Sequence, residues 1–472
     1  MKKVLLAFLG VAAMGALCLF CLFLPERTDI VVVGGGAAGM SAAIEATERG
    51  CSVVLLEKMS YLGGNSLRAT GGMNAACTEE QKKNGIVDSL DSYYQDTMKA
   101  GHWLNNKKLV RLLVRNSAES VSWLEHMGLD LSDVGRLAGH SISRTHRPAG
   151  GAPIGTSLIP VLTGQLNKRG IDVRTENRVI GLLHNQKGTE VFGVLTETRE
   201  GRQYKIKASA VIIASGGFGS EPALYVKMDP DLKGFKTTNQ PGATGDYLSI
   251  VEGLHPALVD MSYIQTHPTV EPNNGVLITE AVRGNGAVLV NRNGYRFTDE
   301  LAFRDVLSRE ILKQPEKSAY LIFDDQIRKG LSATDTYFAM NLITKADTLS
   351  ELAEMLGIHP VVLSQSVQRY NQLVMIGEDR DFGRNDLPSE IIHAPFYGIR
   401  IVPAVHYCMG GLKINEKAEV ISESGGPIKG LFAAGEATGG IHAANRLGGN
   451  SLADAIAFGR IAAREAASLA CR

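Results

Sequence analysis

The chain has 472 residues and a mass of 50.6 kDa, enough for roughly two or three domains and a sizeable buried core. Lys plus Arg and Asp plus Glu both total 49, so the formal net charge is zero at pH 7. Bulk electrostatics therefore give no pull toward nucleic acid, and six scattered cysteines do not make a disulfide scaffold.

In chain order, Val4 to Leu24 comes first, 21 residues with no charge or side-chain amide. As a helix it is long enough to span the ~30 Å of a bilayer core. Lys2 and Lys3 precede it, and Glu26 and Arg27 follow. The positive-inside bias then places the globular body outside the cytoplasm, as an anchored or a secreted protein. The run ends Leu22-Phe23-Leu24-Pro25 without a small-x-small cleavage site, which favours an uncleaved anchor over a signal sequence. Cys18-Leu19-Phe20-Cys21 has C-x-x-C spacing, but Leu22 stands where haem attachment needs His.

Ile30-Val31-Val32-Val33 reads as a buried strand, Ala37 to Arg49 as a helix closed by Gly50, and Ser52 to Leu56 as a second strand. This is a βαβ unit, and such units build parallel sheets. Lys107 to Met127 is an amphipathic helix ending at Gly128. The segments Val179–Leu183, Val191–Thr196 and Gln203–Ile206 fit an antiparallel meander, followed by a further apolar strand, Val211–Ala214. From Tyr263 to about His406 the texture changes to helices such as Leu349–Leu356 and Pro360–Met375 between Pro-punctuated loops, as in an inserted domain. The βα texture returns at Leu431, and a helix from about Ser451 to Leu469 closes the chain.

Gly34-x-Gly36-x-x-Gly39 follows the first strand and opens the first helix. The first glycine makes the tight turn, the second lets backbone approach a pyrophosphate, and the third allows close helix packing. Glu57 stands 18 positions after Gly39, at the end of the second strand, placed to accept from an adenosine ribose. Gly63-Gly64-Asn65-Ser66, Thr70-Gly71-Gly72, Ser215-Gly216-Gly217 and Ala434-Gly435-Glu436 extend the cofactor surface and favour a flavin over a nicotinamide.

Longer motifs follow: Gln265-Thr266-His267-Pro268-Thr269, Thr279-Glu280-Ala281-Val282-Arg283-Gly284, Arg304-Asp305, His406-Tyr407-Cys408-Met409-Gly410-Gly411, and His442 through Asn445-Arg446-Leu447-Gly448-Gly449-Asn450-Ser451. With these the sequence resembles the soluble fumarate reductase flavoproteins, the flavin part of flavocytochrome c, from Thr28 to Arg472. The resemblance implies an α/β fold with a Rossmann-like FAD-binding domain in two parts, 26–261 and 408–472. It implies an inserted α+β capping domain, 262–407, between them; residues 1–25, an N-terminal apolar helix by composition, are expected as a signal sequence or membrane anchor. It also implies FAD contacts at Gly34, Gly36, Ala38, Gly39, Glu57, Asn65, Ser66, Thr70, Gly71, Gly72, Val179, Asp246, His406, Glu436, Ser451 and Leu452. Membrane-bound relatives attach FAD through a histidine in the stretch matching 65–70; Asn65 stands there, so non-covalent FAD is expected.

Reducing an activated C=C bond takes a hydride, a proton and a positive cage that draws charge into a carboxylate. The resemblance assigns His406 and Arg446 to one carboxylate of a dicarboxylate, His267 and Thr279 to the other, and backbone near the substrate to Gly71 and Gly449. Arg304 matches the proton donor, with Glu280 and Arg283 as its relay. Ala138 and Leu277 stand where relatives tend to place methionines against the substrate, and so imply a roomier pocket. The expected activity is FAD-dependent reduction of fumarate to succinate. The alternatives are reduction of another α,β-unsaturated acid, acrylate-like or methyl-substituted, or a non-catalytic anchored flavin electron carrier. No second redox centre is legible, so a separate donor is expected: a cytochrome, a quinol-linked membrane protein or reduced flavin.

Overall fold

The computed structural model describes residues 26–471; the apolar stretch from Val4 to Leu24 lies outside them. Among the described residues no helix is long and apolar enough to cross a membrane.

Strand β1 (Glu26–Val33) is followed by helix α1 (Ala37–Glu48) and strand β2 (Val53–Leu56). β1 pairs in parallel with β2, Ile30 opposite Val53 and Val33 opposite Leu56. Helix α2 (Lys107–His126) precedes β3 (Asp172–Arg174), which continues the parallel sheet beside β2. Strands β4 (Asn177–His184), β5 (Val191–Thr198) and β6 (Gln203–Ile213) form the expected antiparallel meander.

The expectation of two strands over 203–214 is corrected by the structure, since β6 is one strand of 11 residues. Its first half alternates, with Lys205, Lys207 and Ser209 exposed and Ile206, Ala208 and Ala210 buried, while Val211–Ile213 is buried throughout. One strand thus shows a period of two and then an unbroken apolar run.

The smaller sheet is built from β7 (Ile264–Val270), β8 (Val288–Val290), β9 (Ala319–Asp324), β10 (Thr344–Ala346) and β11 (Phe396–Cys408). Its path is β7-β11-β9-β8, with β10 added to β11. Short helices α3 (Glu280–Gly284), α4 (Arg304–Leu312) and α5 (Ala333–Ala339) pack around it. The chain then returns through β12 (Glu419–Ile421) and β13 (Pro427–Ala433) to the large sheet, whose main path is β12-β13-β6-β1-β2-β3. Helix α6 (Asn450–Ala470) packs along α1.

The two sheets have separate apolar cores, a larger one around β1, β6, α1 and α6 and a smaller one drawn from residues between Ile278 and Ile401. Cys51, just before β2, and Cys471, just after α6, form a disulfide across 420 residues of sequence, with Cα atoms 5.8 Å apart. It ties the end of α6 to the first βαβ unit.

Candidate active site

A cavity of about 680 Å³ runs from the β1–α1 turn to the edge of the smaller sheet. At the first end, Gly34 has φ +108°, and a Cβ there would lie 2.4 Å from the Ala214 carbonyl oxygen. Only glycine fits that turn. A Cβ on Gly39 would lie 1.9 Å from the Gly34 carbonyl oxygen, so α1 packs directly on the turn and Gly39 does not line the cavity. Gly36 begins α1 without a side-chain cap, leaving helix N–H groups directed at the cavity, the arrangement that favours a phosphate. Glu57 lines this end, its carboxylate accepting from Gly35 N (2.7 Å) and Met59 N (2.8 Å).

Ala38, Asn65, Ser66, Thr70, Gly71, Gly72, Val179, Asp246, Glu436, Ser451 and Leu452 continue the wall. Asn65 is held on both sides, donating to Asn239 Oδ1 (2.5 Å) and accepting from Gln240 N (2.8 Å). Burial pushes the Glu436 carboxyl up to about 7, even though Cys408 N donates to it. Burial works against the Asp246 charge as well, but Thr244, Lys58 and Arg178 hold its carboxyl below the usual range. A long groove of backbone and small side chains that starts at a helix N-terminus fits an extended dinucleotide.

The far end holds His267, Thr279, Glu280, Arg304, His406, Arg446 and Gly449. Arg304, the first residue of α4, donates to Glu280 Oε2 from both Nη2 (2.6 Å) and Nε (3.1 Å). Its Nη1 donates to Gln265 Oε1 at 3.0 Å, and Arg446 Nη2 donates to the same oxygen at 3.0 Å. One neutral amide oxygen therefore bridges two buried guanidinium groups. Gln265 sits in a motif that the sequence singles out, but a neutral amide gives no sign there of this role; a buried polar residue on β7 is the only hint.

Arg446 also lies over the Tyr407 ring at 4.5 Å, and its Nε has no hydrogen-bond partner among the described residues. Burial and the neighbouring Arg304 lower its pKa to about 10. Arg283 is fully buried and does not line the cavity; it stands behind Glu280, with Nη2 4.0 Å from Oε1. Burial resists ionisation of Glu280, but Arg304 and Arg283 together hold its carboxyl below the ordinary value.

Both imidazoles are pushed toward the neutral form. Burial, then Arg304, pushes the pKa of His267 and of His406 well down. Thr269 N donates to His267 Nδ1 (3.3 Å), which puts the proton of His267 on Nε2. His406 Nδ1 meets Thr238 Oγ1 at 2.7 Å, and the two rings stand edge to face with centroids 5.2 Å apart. Thr279 caps α3, and its N–H donates to the Tyr337 hydroxyl on α5 (2.9 Å).

Leu277 lines the cavity, but Ala138 does not; Leu137 occupies that wall instead. Leu137 is buried, while Ala138 is half-buried. The lining also includes Lys58, Arg178, Asn239 and Tyr337, for which no motif in the sequence spoke.

A groove that fits a dinucleotide and meets an arginine-rich pocket defines a flavoprotein oxidoreductase, and the comparisons agree. The chain belongs to the FAD binding domain family, whose model matches residues 29–452. It is 49% identical over 442 residues to a fumarate reductase (cytochrome) of Shewanella frigidimarina, covering 94% of this chain and 77% of that protein. It is 43% identical to an NADH:fumarate oxidoreductase of Klebsiella pneumoniae, covering 94% of this chain but 48% of that one. Among solved structures, the open conformation of a flavocytochrome c3 fumarate reductase matches with a TM-score of 0.80 and 39% identity, over 96% of this chain and 80% of the other.

Proposed function

We propose that the protein is an FAD-dependent reductase that converts fumarate to succinate, with Arg304 as the proton donor. The observation that carries this is the far end of the cavity. Arg304 and Arg446 face it, Arg283 stands behind, and among the described residues Glu280 is the one carboxylate that ion-pairs with any of them, meeting Arg304 and Arg283. That surplus of positive charge in a buried site suits a dianionic substrate.

FAD, when bound and reduced, supplies the hydride. Arg446 and His406 hold one carboxylate, the guanidinium fixing orientation as well as charge. His267, through its Nε2 hydrogen, and Thr279 hold the other. Gly71 and Gly449 bring backbone to the same space. Arg304 then delivers a proton from a guanidinium nitrogen to the second alkene carbon. An arginine is a weak acid in water, but the carbanion that follows hydride delivery is a far stronger base. Glu280 Oε2, 2.6 Å from Arg304 Nη2, is placed to return the proton, with Arg283 behind it.

Asn65 is a saturated amide with no nucleophile, which supports non-covalent FAD; acid precipitation is expected to release all flavin to the supernatant. We place the body outside the cytoplasm, attached through residues 4–24. The support is Lys2 and Lys3 ahead of the apolar run and a Cys51–Cys471 disulfide of the kind that persists in oxidising compartments. Electrons come from a separate donor, a cytochrome, a quinol-linked membrane protein or reduced flavin. A steady-state assay with an artificial reductant and a panel of enoates tests the substrate. Fumarate is expected to give the highest kcat/KM, and a higher value for acrylate or a methyl-substituted acid would overturn the choice.

A further inference from the structure

Residues 136–140 form a turn at the cavity floor that adds no charge to it. His140 N donates to the Leu137 carbonyl (3.3 Å), and Arg136 Nε donates to the His140 carbonyl (2.8 Å). Between them, a Cβ on Gly139 would lie 2.5 Å from Phe303, the residue before Arg304, and 2.8 Å from Leu447, the residue after Arg446. The turn is thus wedged between the two segments that carry the facing arginines.

The His140 ring is buried, and the bonds around it fix its proton. Thr145 Oγ1 donates to Asn74 Oδ1 (2.7 Å), which sets the orientation of that amide. The two Asn74 Nδ2 hydrogens go to the Gly448 carbonyl (2.6 Å) and to Asn450 Oδ1 (2.7 Å). With both hydrogens used, the 3.2 Å approach of Asn74 Nδ2 to His140 Nε2 is a packing contact. Nε2 keeps its own hydrogen and donates it to the Gly448 carbonyl at 3.1 Å. Nδ1 is buried and has no hydrogen-bond partner among the described residues, so a second proton there would be a charge without an acceptor. Burial and the charge of Arg144 accordingly push the ring down to about 4.

Gly448 is held by two donors on its carbonyl side. On its other side a Cβ would lie 3.1 Å from both Arg304 Nη2 and Glu280 Oε2. The residue is a spacer of bare backbone between His140 with Asn74 and the Arg304–Glu280 pair.

We propose that His140 is a positioning residue for the reduction: its neutral Nε2–H, together with Asn74, sets where Gly448 stands and hence where Arg304 and Glu280 meet the reacting carbon. This rests on fumarate reduction with Arg304 as proton donor. A neutral donor suits the place, because a cation would meet the charge of Arg144 and leave buried Nδ1 with a proton and no acceptor among the described residues, and an apolar side chain would leave the Gly448 carbonyl with one donor instead of two. Small misplacement of a proton donor is costly to rate and nearly silent in binding.

The test compares His140→Gln, whose Nε2 can reach the same carbonyl, with His140→Leu, of similar bulk and no donor. The Leu variant is expected to lose at least tenfold in kcat, with KM for fumarate within threefold, flavin content unchanged and a larger solvent isotope effect on kcat. The Gln variant is expected to stay within threefold of wild type. If the Leu protein does not hold flavin, His140→Asn, whose shorter amide falls short of Gly448, takes its place in the same comparison. Equal kcat values for the donor and non-donor variants would overturn the role of His140 while leaving fumarate reduction standing. A wild-type protein inactive on fumarate would overturn the substrate reading and this assignment with it.

Discussion

Against the larger core the cavity is walled by main chain and small side chains, Gly34, Gly36, Ala38, Gly71 and Gly72 among them, whereas against the smaller sheet it is walled by Arg304, Glu280, His267 and Thr279. The first wall presents mainly N–H groups that the fold orients, with the carboxylates of Glu57, Asp246 and Glu436 set among them. The second binds through charges that must be kept in balance, and its surroundings carry that burden: Glu300, fully buried, pairs with Arg296 (2.9 Å) and Arg384 (3.2 Å), and Arg296 also pairs with Asp379 (2.9 Å). Cofactor and substrate recognition are therefore separable. A change in the first wall should cost flavin, and a change in the second should cost rate while flavin remains.

The sharpest break of that separation is on the cofactor side. Gly39→Val places atoms where the Gly34 carbonyl already stands, and purified protein is expected to carry no flavin absorbance. On the substrate side, Glu300→Gln leaves buried Arg384 without an ion-pair partner among the described residues and Arg296 with Asp379 alone, and is expected to lower unfolding free energy by about 3–5 kcal/mol in a urea titration. Folded molecules should still hold flavin. Gln265→Leu removes the oxygen shared by Arg304 and Arg446; a kcat loss of about 100-fold, near 2.7 kcal/mol, with full flavin content is expected in steady-state assays.

The smallest effect concerns acid. His140 falls from 6.5 to about 4 in the folded protein, so the unfolded chain binds the extra proton first and stability drops as pH falls through 6.5 toward 4. Between pH 7 and pH 5 this one ring should cost about 2 kcal/mol, and His140→Gln should flatten the pH dependence of the urea midpoint by that amount.

The cofactor wall was largely legible in the sequence because it is local: a buried strand, a glycine turn and a helix lie within Ile30 to Glu48. The charged residues of the other wall were legible only through long motifs, since the segments bearing His267, Arg304 and Arg446 meet by tertiary packing. Gln265 and His140 escaped because their roles come from contacts with Arg446 and Gly448, about 180 and 308 residues away. Neither residue belongs to a periodic pattern. The Cys51–Cys471 pair escaped for the same reason, a separation of 420 residues. At the turn 136–140 the cavity is lined by Leu137 and not by Ala138, a one-residue difference that no periodic pattern in the sequence could decide.

Single-turnover reoxidation of the bound, reduced flavin by fumarate tests most directly the role of Arg304 as proton donor to the substrate that the cavity binds. Wild-type protein is expected to reoxidise rapidly, and Arg304→Ala at least 1,000-fold more slowly, about 4 kcal/mol in the barrier, with flavin still bound. Reoxidation of Arg304→Ala by fumarate at the wild-type rate would contradict it.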